Sequence, residues 1–471
     1  MMIQRRLVVL WTAVLLTGCA VGPNYQRPAV PVPDSFRSPT PLPAAEPSSL
    51  ADLKWFEVFR DERLQDLERT ALAQNYDLRE AVARVEAARA NLGLARSEQY
   101  PNAAASADLS TVRNSRNGAL PLPAALAPSQ NRTFGGATLQ LLSFELDIWG
   151  RLRRATEAAR ANLLSAEETR KAVITTLVSD VATAYFNLRE LDSELDISRR
   201  TLTTRQASLD LIRMRQTGGV ATLIELRQGE ELVYTATETI PALQEQIEQT
   251  ENEINLLLGK NPGEVERGRG LTEQELPPNV PAGLPSALLE RRPDIRAAEQ
   301  NLVAANAEIG VAKAAYFPQI SLSGFLGGQS NQLSSLLGGR SGVWSFTPQV
   351  TQPIFTAGRL KSNVKLAEAL HEGALVEYEK TIQTAFTEVS NALIAHQRVR
   401  ESREQQELLV AALQDRTRLA YVRYRGGVDT LLNALDADRD QFQAELNLAQ
   451  IRRGELLTVV QLYKALGGGW Q

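Results

Sequence analysis

The stretch TGGVATLIEL, Thr217–Leu226, returns 208 residues later as RGGVDTLLNA, Arg425–Ala434. Each has a glycine pair followed by a helix-forming run. Upstream of each lies a long run without proline, from about Gly150 to Gln216 and from about Gly358 to Tyr424. At about 1.5 Å per residue these predict helices roughly 100 Å long, far beyond ordinary globular length. Apolar residues recur in them at three- and four-residue steps: Val173, Leu177, Val181, Ala184, Leu188, Leu191 and Leu195, then Leu375, Tyr378, Ile382, Phe386, Val389 and Leu393. That is the seam of helices lying side by side. A glycine pair after such a helix supplies positive φ and lets the chain reverse. The quoted stretches therefore predict two helical-hairpin tips: Thr217, Gly218, Gly219 and Val220, and Arg425, Gly426, Gly427 and Val428.

The repetition extends outward from the tips. YDLREAVARVEAARANLGLARSEQYP (Tyr76–Pro101) matches PDIRAAEQNLVAANAEIGVAKAAYFP (Pro293–Pro318) at an offset of 217. Gly150-Arg151-Leu152 matches Gly358-Arg359-Leu360 at 208, and so does Leu258-Gly259 with Leu466-Gly467. The slip falls between Pro101 and Gly150, where a loop joining strands can grow. Each copy then reads helix, two strands, long helix, turn, return helix. Repeat one spans 61–260, with helices in 61–99, strands in 102–146 and a hairpin over 150–259. Repeat two spans 293–471, with a helix over 293–315, strands in 319–355 and a hairpin over 358–466. A Pro- and Gly-rich linker, 261–292, joins them. In length, each long helix equals the opening helix plus the return helix, which predicts one long rod beside two stacked shorter ones. Pro241 is expected to kink the first return helix.

Composition narrows the function. The net charge is −4 and mixed in sign, which argues against a nucleic-acid partner. Two histidines (His371, His396), three methionines and one cysteine cannot build a zinc or haem centre. No nucleophile elbow, phosphate loop or dinucleotide fingerprint occurs, so no enzyme activity, metal or dissociable cofactor is expected. LLGGRSG, Leu336–Gly342, reads as a plain turn.

The chain opens with Arg5 and Arg6 and an apolar run from Leu7 to Leu16. The run falls short of the ~20 residues that span a bilayer and fits the core of a secretory signal over 1–18. It ends in Leu16-Thr17-Gly18-Cys19, which resembles a bacterial lipobox. The single cysteine stands where lipid transfer needs its thiol, so Cys19 is the expected lipidation site and a covalent lipid the expected modification. Lipoprotein sorting associates Ala20, in place of Asp, with the outer membrane. Residues 19–60 follow as a lipid-anchored, proline-rich extended segment.

The strand candidates alternate with period two. Asn102–Thr111 sets Ala103, Ala105, Ala107 and Leu109 against Ser106, Asp108 and Ser110. Gln319–Gly327 and Val343–Thr351 alternate likewise, and Thr133–Leu146 does so with a blurred period. Such segments fit barrel strands with lipid outside and a polar lumen. Four strands cannot close a barrel, and an open edge in lipid leaves amides unpaired. The fold expected is mainly α with a membrane β-barrel: a long α-helical barrel joined to a 12-stranded barrel shared by a homotrimer. A lipid-anchored periplasmic coiled-coil scaffold without a channel is the rival reading. It shares the anchor and the helices but has no use for amphipathic strands.

GCAVGPNYQRPAVPVPDSF, LPSALLERRPDI, YFPQISLSG and YRGGVDTLLNALDADRDQF resemble signatures of the TolC-type outer-membrane efflux ducts, in the lipoprotein subgroup serving resistance-nodulation-division pumps. The resemblance covers nearly all of the mature chain. It implies a passive exit duct at the outer membrane with a large periplasmic part. It also implies a periplasmic adaptor and an inner-membrane pump as partners. It further implies a resting duct pinched at the periplasmic hairpin tips, which meet the adaptor and act as the gate: in that family an acid after the first turn bonds a tyrosine before the second, and the matching gate candidates are Glu225 and Tyr424. Acid rings on the following helix match Asn433 and Asp436, where Asn433 departs from the pattern. The family's arginine near the second turn matches Asp429, another departure.

Overall fold

The computed structural model describes residues 20–38, 49–113, 131–275 and 281–470. The expected signal and Cys19 lie outside them. The repeat is visible in element lengths. Helices α1 (Glu62–Gln74) and α2 (Tyr76–Ser97) lead to strands β1 (Ala103–Arg113) and β2 (Asn131–Glu145). The first hairpin is α3 (Arg151–Thr217) and α4 (Leu223–Leu257). Then come α5 (Pro285–Arg291), α6 (Pro293–Ala314), β3 (Gln319–Ser330), β4 (Gly342–Thr351), α7 (Arg359–Arg425) and α8 (Leu431–Ala465). The long helices α3 and α7 have 67 residues each, the return helices α4 and α8 have 35, and α2 and α6 have 22. Helix α4 runs unbroken through Pro241.

The linker over 261–292 contains a helical turn at Leu271–Glu273 and the whole of α5, which Pro285 starts at a position where proline is favoured. One expectation needs correction. The N-terminal segment is not extended throughout, since it turns helically at Leu50–Asp52 and Trp55–Val58. Compact units also cut across the repeats. One comprises Glu86–Ser165 and Glu299–Glu377 with the described residues up to Pro28; the other holds the rest.

The first unit carries an antiparallel four-stranded sheet in the order β1-β2-β3-β4. A register shift between Leu141 and Phe144 explains the blurred period of β2, because an extra residue moves later side chains to the opposite face. Small residues let α3 and α6 approach closely, with Ala158, Ala161, Ala304 and Ala307 in one cluster. The N-terminal segment is bound alongside. Val21 N–H donates to Trp149 O at 2.9 Å, Asn306 to Pro23 O at 3.0 Å, and buried Arg154 to Asn24 Oδ1 at 2.7 Å. Gly22 has φ +100°, and a Cβ there would lie 2.5 Å from Gly310 Cα.

The second unit has the larger core, which includes the fully buried Leu188, Tyr378, Ile382 and Val389 of the predicted seams, together with Tyr185 and Phe186 beside them. Buried Asp61 caps α1 and joins three separate segments. It accepts from Arg63 N–H (2.9 Å), Tyr185 Oη (2.7 Å), Gln274 Nε2 (2.8 Å) and Arg269 N–H (3.0 Å). Burial alone would raise its pKa, but these hydrogen bonds outweigh burial and hold the carboxyl below its ordinary value.

Candidate functional site

Two features bear on function: the faces of the sheet and the tips of the hairpins. Pairing puts alternate residues of all four strands on common faces. Leu139 stands opposite Leu326, and Leu326 opposite Trp344, so one row crosses three strands. Leu109, Phe346 and Val350 share that face, and all six side chains are exposed. The other face carries Ser106, Thr138, Gln140, Ser323, Ser345 and Thr347, linked by hydrogen bonds such as Ser106–Thr138 at 2.9 Å and Gln140–Ser106 at 2.8 Å. Phe325 interrupts it. Strands β1 and β4 each have one edge that no described strand covers. Among the described residues no helix is long and apolar enough to cross a membrane.

The tips close as the glycine pairs predict. Val220 N–H donates to Arg215 O at 2.8 Å and Val428 N–H to Arg423 O at 3.1 Å, the six-to-one bond of a glycine-terminated helix. Gly219 and Gly427 both sit at φ +74°. Thr217 donates to Arg213 O at 2.9 Å. Gly218 and Gly426 donate to Met214 O and Val422 O at 3.1 and 3.0 Å. Val220 and Val428 are exposed, as are Leu223, Ile224 and Leu432 beside them, and Arg425 is exposed too.

The Glu225–Tyr424 hydrogen bond expected from the family pattern is not made within the chain. Glu225 is the third residue of α4, where a carboxylate reaches back to the start of its own helix. It accepts from Thr222 N–H at 2.6 Å and from Thr222 Oγ1 at 3.0 Å. Tyr424 is buried among Ile212, Leu431, Ala434 and Leu435, its ring 4.7 Å from the Arg215 guanidinium and its hydroxyl without a hydrogen-bond partner. Burial raises the hydroxyl's pKa against the opposing charge of Arg215, and the negative charge of Glu225 adds to the rise.

The second tip is built differently. Asp429 accepts from Arg423 Nε at 3.0 Å, from Asn433 Nδ2 at 2.7 Å and from Thr430 N–H at 2.8 Å. These bonds hold its carboxyl below the usual range. Asn433, expected to weaken an acid ring, therefore has work inside its own chain. Asp436 pairs with Arg439 at 3.2 Å on the exposed surface. Sequence reasoning missed this cluster, although Arg423, Asp429 and Asn433 lie within one short stretch. It also missed Arg215 against Tyr424.

The profile of the outer membrane efflux protein family matches residues 67–260 and 284–468. The toluene efflux pump outer membrane protein TtgF of Pseudomonas putida is 39% identical over 97% of this chain and 95% of its own. The cation efflux system protein CusC of Escherichia coli is 35% identical over 98% of this chain and 99% of its own. Among solved structures, the open state of the Neisseria gonorrhoeae MtrE outer membrane channel superposes with a TM-score of 0.86 at 32% identity, covering 96% of this chain and 99% of that one. With sheet, hairpins and repeat all accounted for in this way, the chain belongs to the outer membrane efflux protein family and has the fold of its channels.

Proposed function

We propose that three copies of this chain close into a passive exit duct across the outer membrane, fed from the periplasm by an adaptor protein and an inner-membrane pump. The carrying observation is the open sheet with one continuous exposed apolar face and one hydroxyl- and amide-rich face. In lipid its free edges must pair, and each unpaired amide left there costs several kcal/mol. Pairing β4 of one copy with β1 of the next satisfies them, puts Leu139, Leu326 and Trp344 in lipid and lines the lumen with Ser, Thr and Gln. The scaffold reading gives this sheet no role. The exposed Val220 and Val428 at the tips suit an adaptor that docks end-on. The names of the relatives include both toluene and cations, so cargo choice is assigned to the pump. Cys19 is the proposed anchor, and the docking of Ala20–Arg27 would fix where its acyl chains enter the membrane.

Purified protein reconstituted in planar bilayers should give discrete conductance steps, and Asp429→Ala should raise open probability. Absence of steps in both proteins would reject the duct. Replacing Cys19 by Ala should abolish incorporation of labelled palmitate.

A further inference from the structure

Helices α3 and α8 belong to different repeats and run antiparallel with polar rungs between them. Arg453 of α8 donates to Glu190 of α3 at 2.8 Å, and Gln450 donates to Glu194 at 2.9 Å. Toward the tips the polarity of the rung reverses. Arg205 of α3 donates through Nε to Asp438 Oδ2 of α8 at 2.6 Å. Its Nη1 reaches the carbonyl of Leu232 in α4 at 3.0 Å, and its guanidinium lies 4.9 Å from the Phe442 ring. The upper rungs line a polar cleft of about 580 Å³. The Arg205–Asp438 rung is buried, with side chains 2% and 8% exposed.

The three rungs agree on one register only. Slipping α8 by one turn in one direction brings Glu194 level with Glu445; slipping it in the other brings Arg205 level with Phe442. Either move strands buried charge, which is strongly unfavourable. Arg205 is also the residue that fastens both helices of the first hairpin to the return helix of the second. It stands 14 residues from Gly219, and Asp438 stands 11 from Gly427, so the fastening lies roughly 20 Å behind both tips.

We propose that the Arg205–Asp438 pair is a lock that keys the two hairpins in register and so keeps both tips in their resting arrangement. Arg205 and Asp438 are positioning residues, distinct from the tip residues Glu225, Tyr424 and Asp429. Opening then requires this pair to part, or α8 to carry the first hairpin with it. The proposal rests on the duct reading for its functional consequence but not for its structural one.

The test uses full-length protein in detergent and in bilayers. Asp438→Asn removes the charge that the guanidinium needs. Arg205→Met with Asp438→Leu removes both charges, so no lone ion threatens folding. An apolar contact is non-directional and does not fix register as a guanidinium fork does. In both variants hydrogen exchange at the tip amides, residues 217–222 and 425–431, should rise ten-fold or more while β1–β4 keep theirs. Open probability should rise as well. Wild-type exchange and conductance in a double variant with an intact sheet would overturn the lock. Faster tip exchange with no conductance in any protein would uphold the lock and reject the duct.

Discussion

The two hairpins have helices of the same lengths and matching glycine turns, yet they are zipped by different chemistry. Gly229 of α4 and Ala437 of α8 occupy equivalent places in the repeat. Opposite Gly229 stand Leu209 and Ile212, both buried, and a Cβ on Gly229 would come within 3.0 Å of Ile212 Cδ1. Opposite Ala437 the equivalent residues are Thr417 and Ala420, and Thr417 Oγ1 donates to Ala437 O at 2.9 Å. Bulk has been exchanged between facing helices, and a hydrogen bond added. Above this level the second hairpin carries a polar ladder. Arg416–Asp440 (2.8 Å), Arg452–Glu407 (3.1 Å), Arg403–Glu455 (2.7 Å) and Gln414–Glu445 (2.9 Å) join α7 to α8. In the first hairpin the described side-chain ion pairing of α3 to α4 is a long Arg213–Glu230 contact of 3.8 Å. One copy relies on shape and the other on polar complementarity. Two similar rods can thus share a fold and respond differently to the same disturbance.

The largest expected divergence comes from filling the space at Gly229. Gly229→Leu should overpack the first hairpin and cost about 1–3 kcal/mol, seen as a lower denaturation midpoint. Ala437→Gly opens no large cavity and should cost about 1 kcal/mol through helix propensity. Equal losses would remove the distinction. Next come the glycine turns of the tips, where symmetry should hold. Gly219→Ala and Gly427→Ala each force an L-residue to positive φ, at roughly 1–2 kcal/mol apiece. Unequal losses in thermal unfolding would show that the two turns are not equivalent. Smaller again is the cap. Thr222→Ala should cost about 1 kcal/mol, because its hydroxyl receives the Glu225 N–H, whereas the Thr430 side chain makes no capping bond and Thr430→Ala should be near neutral.

Acid should separate the tips most gently. The folded-state pKa of Asp429 is depressed by Arg423, Asn433 and the Thr430 N–H. Its contribution is therefore present above the unfolded value of about 3.9 and fades as pH falls through the lower folded value. Amide exchange at Val428–Leu431 should quicken below that range by more than ordinary pH dependence explains. No quickening would take Asp429 out of the tip.

Much of this was legible in the sequence, for a physical reason. Long helices advertise themselves through period and through the absence of proline, and a repeat checks itself. Val181, Leu188, Ile382 and Val389 were read as seam residues and are fully buried. Sheet alternation was legible where no bulge disturbed it. Side-chain partners were not legible, because several groups compete for each one. Glu225 has a cap within reach as well as a tyrosine on the other hairpin, and the cap is local. Asp61 joins Tyr185 and Gln274 from distant segments, and no spacing announces that. The turn and helix inside 261–292 were hidden by the prolines and glycines around them, although Pro285 marks a helix start as readily as a break.

The central claim is that one chain supplies an incomplete sheet that other copies complete. Native mass measurement of detergent-extracted protein tests it most directly. A particle of three chains, persisting on dilution and dissociating only as the sheet unfolds, is the predicted result. A stable monomer with β1 and β4 unpaired would contradict it.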